Sequence, residues 1–282
     1  MKISTFTKFS AQNSVSPTQA FIDGARKIGW TVVDHDLSAD AAMIWSVLWN
    51  GRMRKNFHVY QHFRQQGRPV FVLDVGSLHR DRTWKLALNN LNAQGCYGHE
   101  ENLDWDRPEK LGISLQHPTK NNGKILICLQ HQHSQQLATV GDLSQWVVTK
   151  IQQIQNHSDR PIFLRPHPRA RFNPAEYKFS YQLNRPTKIK HSYDSYDFSP
   201  QQYHAVINCN SSPGILAAIQ GVRPIVDSTS LAFSVSVDAE NIDHDYLCDR
   251  DRWLVSITHT EYSLEELRQP LWEKRLLPYL NL

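Results

Sequence analysis

Two short polar segments contain the residue types best suited to binding an anion: residues 165–169 (Arg-Pro-His-Pro-Arg) and residues 208–214 (Asn-Cys-Asn-Ser-Ser-Pro-Gly). Each follows an apolar run typical of a β-strand, and the second precedes a run typical of a helix. A helix start presents unpaired backbone N–H groups, which suit a negatively charged ligand. The first segment adds two guanidinium groups and an imidazole. We therefore predict that the two segments bind a diphosphate together.

Each residue type in these segments also has a structural interpretation. The cationic side chains could bind phosphate through charge-assisted hydrogen bonds, or they could be solvated groups of a proline-rich loop. The serines could bind phosphate or cap the helix, and both roles share one geometry. The asparagines could form the turn or donate to the ligand. The residues to which we assign anion binding are Arg165, His167, Arg169, Asn208, Asn210, Ser211, Ser212 and Gly214.

Strand and helix patterns alternate along the chain, which is typical of parallel, doubly wound sheets. An irregular, charged stretch at residues 99–123 marks a domain boundary, and a second α/β unit opens with the apolar run at residues 124–129. We predict two α/β domains, residues 1–118 and residues 119–262. In open sheets of this kind, ligands bind at the carboxyl ends of the strands, which is where the predicted anion-binding segments lie.

Composition narrows the possible classes of protein. The 282 residues, 40% of them hydrophobic, are enough for two domains with separate cores. A net charge of +4 permits a polyanionic partner without requiring one. The four cysteines are far apart, which predicts free thiols in a reducing compartment. With no signal-peptide pattern and no apolar run near the ~18 residues of a membrane span, we expect a cytoplasmic protein.

Neither a P-loop nor a Gly-x-Gly-x-x-Gly motif occurs, which argues against a P-loop ATPase or an ordinary dehydrogenase. The order of the motifs instead resembles the nucleotide-sugar domain of GT-B glycosyltransferases. It runs from Leu129-Gln130-His131 through the Arg-Pro-His-Pro-Arg turn to Asn-Ser-Ser-Pro-Gly and Gly-Val-Arg-Pro-Ile-Val. It is most similar to capsule-polysaccharide (Kdo-type) transferases and to phage-encoded transferases of the DNA-modifying type, and it covers residues 124–228.

That resemblance implies two Rossmann-like domains in a GT-B arrangement with an interdomain cleft. It also implies that residues 263–282 form a C-terminal helix that packs back on the first domain. The implied cofactor is a nucleotide-sugar donor, for which we expect a UDP-sugar, with no metal indicated. The donor-binding set then includes, beside the anion-binding residues, Gln130, His131 and Ser134.

Sugar transfer with inversion needs a general base that takes a proton from the acceptor hydroxyl. Asp74 ends the clearest strand of the first half of the chain and is the leading candidate, followed by Asp81 and Asp36. The structural interpretation of Asp74 is a cap for the turn that follows it.

Basic and aromatic residues follow Asp74, and a second basic cluster lies earlier in the same domain. A basic run with an aromatic suits a nucleic-acid backbone and an extruded base, and it equally suits a solvated loop leading to a helix at residues 84–91. The candidate acceptor-binding residues are Arg52, Arg54, His79, Arg80, Arg82, Trp84 and Lys85.

We therefore predict a glycosyltransferase that moves a sugar from a nucleotide-sugar to a hydroxyl acceptor. The acceptor we expect is 5-hydroxymethylcytosine in phage DNA, which makes DNA a partner and the host cytoplasm the location. Two alternatives stay open. One is a transferase acting on a surface polysaccharide or glycolipid, and the other is a non-catalytic nucleic-acid-binding protein with salt-dependent affinity for DNA.

Overall fold

The computed structural model describes residues 1–118, 123–246 and 248–280, which divide between two compact units. Unit 1 contains Met1–Arg107, His133–Gln135 and Val255–Leu282, and unit 2 contains Pro108–Gln132 and Gln136–Leu254. The boundary predicted between residues 118 and 119 adjoins residues outside the described part of the chain, and it stays a prediction.

The strands are β1 (Lys2–Thr5), β2 (Thr31–Asp34), β3 (Ala41–Trp45), β4 (Val70–Val75), β5 (Trp84–Leu88), β6 (Lys124–Cys128), β7 (Ile162–Arg165), β8 (Gln182–Leu183), β9 (Tyr203–Ile207), β10 (Arg223–Ile225) and β11 (Glu261–Tyr262). The helices are α1 (Val15–Lys27), α2 (Asn56–Gln65), α3 (Arg107–Lys110), α4 (Leu143–Gln155), α5 (Ser212–Ile219), α6 (Asp251–Thr258), α7 (Leu264–Arg268) and α8 (Glu273–Leu276).

Unit 1 is built on a six-stranded sheet with the order β11-β5-β4-β3-β1-β2. The four strands from β4 to β2 are parallel, whereas β5 runs antiparallel to β4 and β11 antiparallel to β5. The helix predicted at residues 84–91 is therefore wrong, because residues 84–88 form β5. All five residues of β5 are buried, so the segment shows no polar alternation that would have predicted a strand.

One face of the first sheet is covered by α1 together with the last helices of the chain. Trp272 is fully buried and stacks on Phe21 of α1, with ring centroids 4.9 Å apart. Gly24 of α1 lies directly against the Leu267 carbonyl, where a Cβ atom would clash with backbone. A small residue at position 24 is thus what allows α1 and α7 to approach each other.

Unit 2 is built on a five-stranded sheet with the order β10-β9-β6-β7-β8, and all its strands are parallel. Alternate residues of β6, Ile125 and Ile127, pack against Val147 and Ile151 of α4. Asp142 caps α4 by accepting from the N–H groups of residues 144 and 145. The apolar run at residues 124–129 and the helix after it are therefore confirmed as elements of a second α/β unit.

Within the described residues, no helix has both the length and the apolar character needed to cross a membrane.

Candidate functional site

The carboxyl ends of the parallel strands of unit 2 meet at one edge of the sheet, and the predicted anion-binding segments leave from this edge. Since β6 lies between β7 and β9, the loop after β6 lies between the two segments. We call the loops at residues 129–132, 166–173 and 208–212 the strand-end site.

Two side-chain contacts join the three loops of the strand-end site. The rings of His131 and His167 meet edge to face, with centroids 5.3 Å apart and an interplanar angle of 81°. Gln130 Nε2 donates to Asn210 Oδ1 at 2.9 Å. The two segments that the sequence picks out are thus brought together through residues 130 and 131 of the central loop.

His167 is half-buried, and its ring is fixed by its own loop. The Arg169 backbone N–H donates to His167 Nδ1 at 3.2 Å. In a neutral imidazole, this bond places the proton on Nε2, since one ring nitrogen accepts and the other donates. His167 therefore presents an N–H donor, which suits an anionic oxygen.

The two arginines of the same segment are held by acidic residues. Arg165 donates to the Asn184 side chain and forms an ion pair with Asp197 at 2.9 Å. Arg169 forms a longer ion pair of 3.3 Å with Asp194. Both guanidinium groups thus have protein partners, which a bound diphosphate would have to share, and the diphosphate clamp stays a prediction. For Arg165, only 11% of whose side chain is exposed, the ion pair favours a structural role.

The start of α5 is a turn stabilised by a fully buried asparagine. Asn208 Nδ2 donates to the Ser211 carbonyl at 3.0 Å and to the Ser211 hydroxyl at 3.2 Å. The side chain of Ser211, the N-cap residue, makes no capping hydrogen bond to the N–H groups of the helix. The backbone N–H groups of this first turn therefore remain suited to an anion, as predicted for Ser211 and Ser212.

The buried side chain of Asn210 forms hydrogen bonds with three neighbouring residues. Its Nδ2 group donates to the Gln136 carbonyl at 2.7 Å and to the Thr229 hydroxyl at 2.8 Å, while its oxygen accepts from Gln130. Thr229 and the neighbouring Asp227, which pairs with Lys150 at 3.6 Å, were not predicted from the sequence. Both follow β10, and the rule that brings strand ends together could have indicated them.

A cavity of about 300 Å³ opens beside His167, a volume at the lower end of the range for small-molecule sites. Sequence reasoning missed most of its lining, although the aromatic-rich segment at residues 172–181 offered a signal. Tyr177 is buried and stacks on Phe172 with an interplanar angle of 13°. The residues that line the cavity include Gln130, Gln132, Asp142, His167, Arg171, Phe172, Glu176 and Tyr177.

Ser134 belongs to unit 1 and not to the strand-end site. Residues 133–135 fall within that unit, and Ser134 forms an antiparallel bridge with Leu48. The His133 carbonyl accepts from the Trp49 backbone N–H at 2.9 Å. The loop after β6 is therefore divided between the two units, which the sequence pattern could not indicate.

In unit 1, Asp74 lies on β4 directly opposite Lys85 of β5, which in turn lies opposite Glu261 of β11. Residues opposite each other in a sheet share one face, so an ammonium group stands between two carboxylates. Burial lowers the pKa of Lys85, and the charges of Glu261 and Asp74 oppose that change. Asp74 is half-buried at the carboxyl end of its strand.

Glu261 holds the turn that follows Asp74. Its buried carboxylate accepts from the backbone N–H groups of Ser77 and Leu78 and from the Thr83 hydroxyl at 2.7 Å. Nothing near residue 77 in the sequence predicts this partner, since the two segments are 184 positions apart.

Of the predicted acceptor-binding residues, Arg80 and Arg82 are exposed on this turn, with Asp81 between them at a φ of 67° and half-buried His79 before them. Trp84 and Lys85 are instead buried in β5, with only 9% and 8% of their surface exposed. Trp84 and Lys85 therefore do not share the exposed surface of Arg80 and Arg82, and the acceptor-binding role of all these residues stays a prediction.

The second basic cluster and the third candidate base are also in unit 1. Arg52 and Arg54 are exposed on a 3-10 helix at Gly51–Lys55. Asp36 pairs with Lys2 at 2.5 Å and accepts from both the N–H and the hydroxyl of Ser38 at 2.7 Å. These bonds hold the pKa of Asp36 well below its usual range. A carboxylate of this kind takes up protons poorly, so Asp36 is a weak candidate for the base.

Among the described residues, no group of three or more histidine, cysteine or acidic side chains could hold a metal ion. The four cysteines are free thiols, of which Cys128 and Cys209 are buried. Burial raises the pKa of Cys128 to about 12, so this thiol is unreactive at neutral pH.

Neither family models nor curated protein sequences give a match to this chain. Among solved structures, it is similar to the KpsC beta Kdo 2,4 transferase of Thermosulfurimonas dismutans, with a TM-score of 0.54, 12% identity, and coverage of 96% of this chain and 98% of that one. The KpsC beta Kdo 2,7 transferase of the same organism gives a TM-score of 0.52 and 12% identity over 96% of this chain and 99% of that one.

At this level of identity the likeness shows the fold alone. It agrees with the two sheets described above, each of which is a mainly parallel α/β layer. The predicted fold class, α/β with two Rossmann-like domains of the GT-B type, is confirmed.

Proposed function

We propose that the protein is a glycosyltransferase that uses a nucleotide-sugar and binds this donor at the strand-end site. The observation that carries the proposal is the pair of contacts between His131 and His167 and between Gln130 and Asn210. They bring the imidazole of His167 and the N-terminus of α5 to one sheet edge, where α/β folds bind their ligands.

In this proposal the diphosphate lies between His167 and the first turn of α5. Breaking the bond to the sugar leaves negative charge on the departing nucleoside diphosphate. Fixed donors aimed at that charge stabilise the transition state more than the ground state. His167 and the backbone at Ser211 and Ser212 therefore have the central roles, and Arg169 remains a candidate because 42% of its side chain is exposed.

For the general base we propose Asp74, with Asp81 as the second candidate. Asp74 lies near the carboxyl end of β4. Lys85 lies opposite it on β5, and Glu261 lies opposite Lys85 on β11. A base at this position would take the proton of the acceptor hydroxyl while the sugar is transferred.

For the acceptor we propose a glycan hydroxyl, because the two structures that share the fold are both Kdo transferases. The comparisons add no support for the DNA-modifying part of the resemblance. A hydroxymethylcytosine acceptor remains the competing hypothesis, and it depends on the exposed basic residues Arg52, Arg54, Arg80 and Arg82.

The test is a transfer assay with a panel of UDP-, CDP- and GDP-sugars and two acceptors, a Kdo-terminated oligosaccharide and hydroxymethylcytosine DNA, followed by mass spectrometry. We expect one donor to add one sugar to the oligosaccharide. His167→Ala should slow the reaction about 100-fold, whereas His157→Ala, at an exposed histidine of the same unit, should not. Transfer to DNA would favour the competing acceptor, and transfer to neither acceptor would contradict the proposal.

A further inference from the structure

The side chain of Gln130 is nine-tenths buried, with 7% of its surface exposed, and it lines the cavity beside His167. Its amide nitrogen donates to Asn210, but its amide oxygen Oε1 is buried without a hydrogen-bond partner among the described residues. Leaving a buried acceptor without a hydrogen bond destabilises the folded protein, so such an atom calls for an explanation.

The orientation of the Gln130 amide is determined by its neighbours. The side-chain NH2 group of Asn210 donates two hydrogen bonds, one to the Gln136 carbonyl and one to the Thr229 hydroxyl. The Asn210 amide is therefore oriented with its oxygen towards Gln130. Only an N–H group of Gln130 can face that oxygen. Exchanging the amide nitrogen and oxygen of Gln130 would set two oxygens against each other, so Oε1 must be the atom left over.

The remaining polar groups of the cavity are rich in acceptors as well. The carboxylates of Asp142 and Glu176 both contribute to its lining. Two carboxylates repel a phosphate, and the single guanidinium group of Arg171 in the same lining offsets only part of that repulsion, so the charged part of a nucleotide belongs on the His167 side of the cavity. The stacked rings of Phe172 and Tyr177 suit the flat, uncharged part of the same ligand.

We propose that the cavity binds the nucleoside of the donor and that Gln130 Oε1 accepts a hydrogen bond from an N–H or hydroxyl group of that nucleoside. This inference rests on the nucleotide-sugar site proposed above. It makes Gln130 a residue that determines specificity, since a nucleoside without the matching donor group would leave the buried oxygen unpaired. Asn210 and Thr229 then act as positioning residues that hold Gln130 in the required orientation.

The test measures dissociation constants of UDP, CDP and GDP by calorimetry, and then those of analogues of the tightest binder. Each analogue lacks one donor group: the 2′-hydroxyl, the 3′-hydroxyl or a base N–H blocked by methylation. For the wild-type protein we expect one analogue to bind about tenfold more weakly than the parent. In Gln130→Met, that analogue and its parent should bind equally, within about twofold.

The matched control is Gln153→Met, since Gln153 is an exposed glutamine of the same unit and does not belong to the cavity lining. This variant should keep the wild-type discrimination. A readout that needs no variant is the NMR signal of the Gln130 side-chain amide in the wild-type protein, which should shift with the parent nucleotide and not with the discriminated analogue.

The inference is overturned if Gln130→Met discriminates between the analogues as the wild type does, or if the wild type discriminates against none. In either case the nucleotides still bind, and the proposed function stands. Failure of all three diphosphates to bind the wild-type protein would remove the proposed function and this inference together.

Discussion

The polar residues of the strand-end site divide into those that position the site and those that could contact a ligand. Arg165 and Asn210 form hydrogen bonds with neighbouring loops. Gln130 has a buried amide oxygen without a partner among the described residues, and the half-buried ring of His167 has a donor N–H group. Residue type alone favoured the arginines as ligands. The structure adds the partners Asp194 and Asp197, which favour a structural role for Arg165 and leave the more exposed Arg169 as a candidate. Both partners lie in an irregular segment whose packing no sequence pattern predicts.

Arg165→Ala should destabilise the protein by about 1–3 kcal/mol, because the change removes hydrogen bonds to Asn184 and Asp197 from a largely buried guanidinium group. Urea unfolding measures this loss. Arg185→Ala, at an exposed arginine of the same unit, should change the stability by less than about 0.5 kcal/mol. Equal effects of the two substitutions would show that the Arg165–Asp197 ion pair and the bond to Asn184 contribute nothing to stability.

Asp74→Asn should lower kcat about 100-fold or more and leave the dissociation constant of the nucleotide unchanged, because an amide cannot take up the proton of the acceptor. Single-turnover kinetics with a saturating donor measure the rate of transfer, and calorimetry measures the dissociation constant of the nucleotide. Asp81→Asn is the matched control, since Asp81 is exposed on the neighbouring turn. A wild-type rate in Asp74→Asn together with a slow Asp81→Asn would transfer the role of base to Asp81.

At the scale of elements, four strands of unit 2 could be predicted, namely β6, β7, β9 and β10, because each is a short apolar run that ends in polar residues. Strand β8 has only two residues, both exposed, and gives no such signal. The parallel order of the strands then brought the predicted loops to one edge. Strand β5 escaped prediction since it is buried on both faces. The turn after β4 could be predicted, but its partner Glu261 could not, because Glu261 is 184 residues distant from Ser77. The cavity is shaped by residues 166–177, an irregular loop whose course follows from packing alone.

The start of α5 depends on close packing at Gly214. A Cβ atom there would lie 2.7 Å from Val226 Cγ1 and 2.8 Å from Asn208 Oδ1, closer than atoms can approach. We therefore expect Gly214→Ala to cost about 1–3 kcal/mol of stability, as overpacking usually does. Thermal unfolding provides the measurement.

The control for Gly214→Ala is the double variant Gly214→Ala/Val226→Ala, which removes one of the two clashing atoms. Compared with Val226→Ala alone, adding the alanine at 214 should then cost less than it does in the wild type. A strictly additive double variant would mean that this contact does not limit the position.

At the scale of the whole molecule, stability should depend on pH through His259. Burial lowers the pKa of His259 from 6.5 to about 4, and its ring accepts from the Asp104 backbone N–H at 3.1 Å. The unfolded chain therefore takes up a proton near pH 6.5, while the folded chain does so only near pH 4. Stability is full above pH 6.5 and falls, by about 3 kcal/mol in total, as the pH drops through this interval.

His259→Gln should flatten this part of the stability curve, since glutamine can accept from Asp104 without titrating. The measurement is urea unfolding at several pH values between 4 and 7, and His157→Gln, at an exposed histidine, is the control. An unchanged slope in His259→Gln would contradict the role given to this group.

The measurement that addresses the nucleotide site most directly is a crystal structure of the protein soaked with a nucleoside diphosphate. We predict density for the diphosphate within hydrogen-bonding distance of His167 Nε2 and of the backbone at Ser211 and Ser212, with the nucleoside in the cavity beside Gln130. A diphosphate bound elsewhere in the molecule, with these loops unoccupied, would contradict the account.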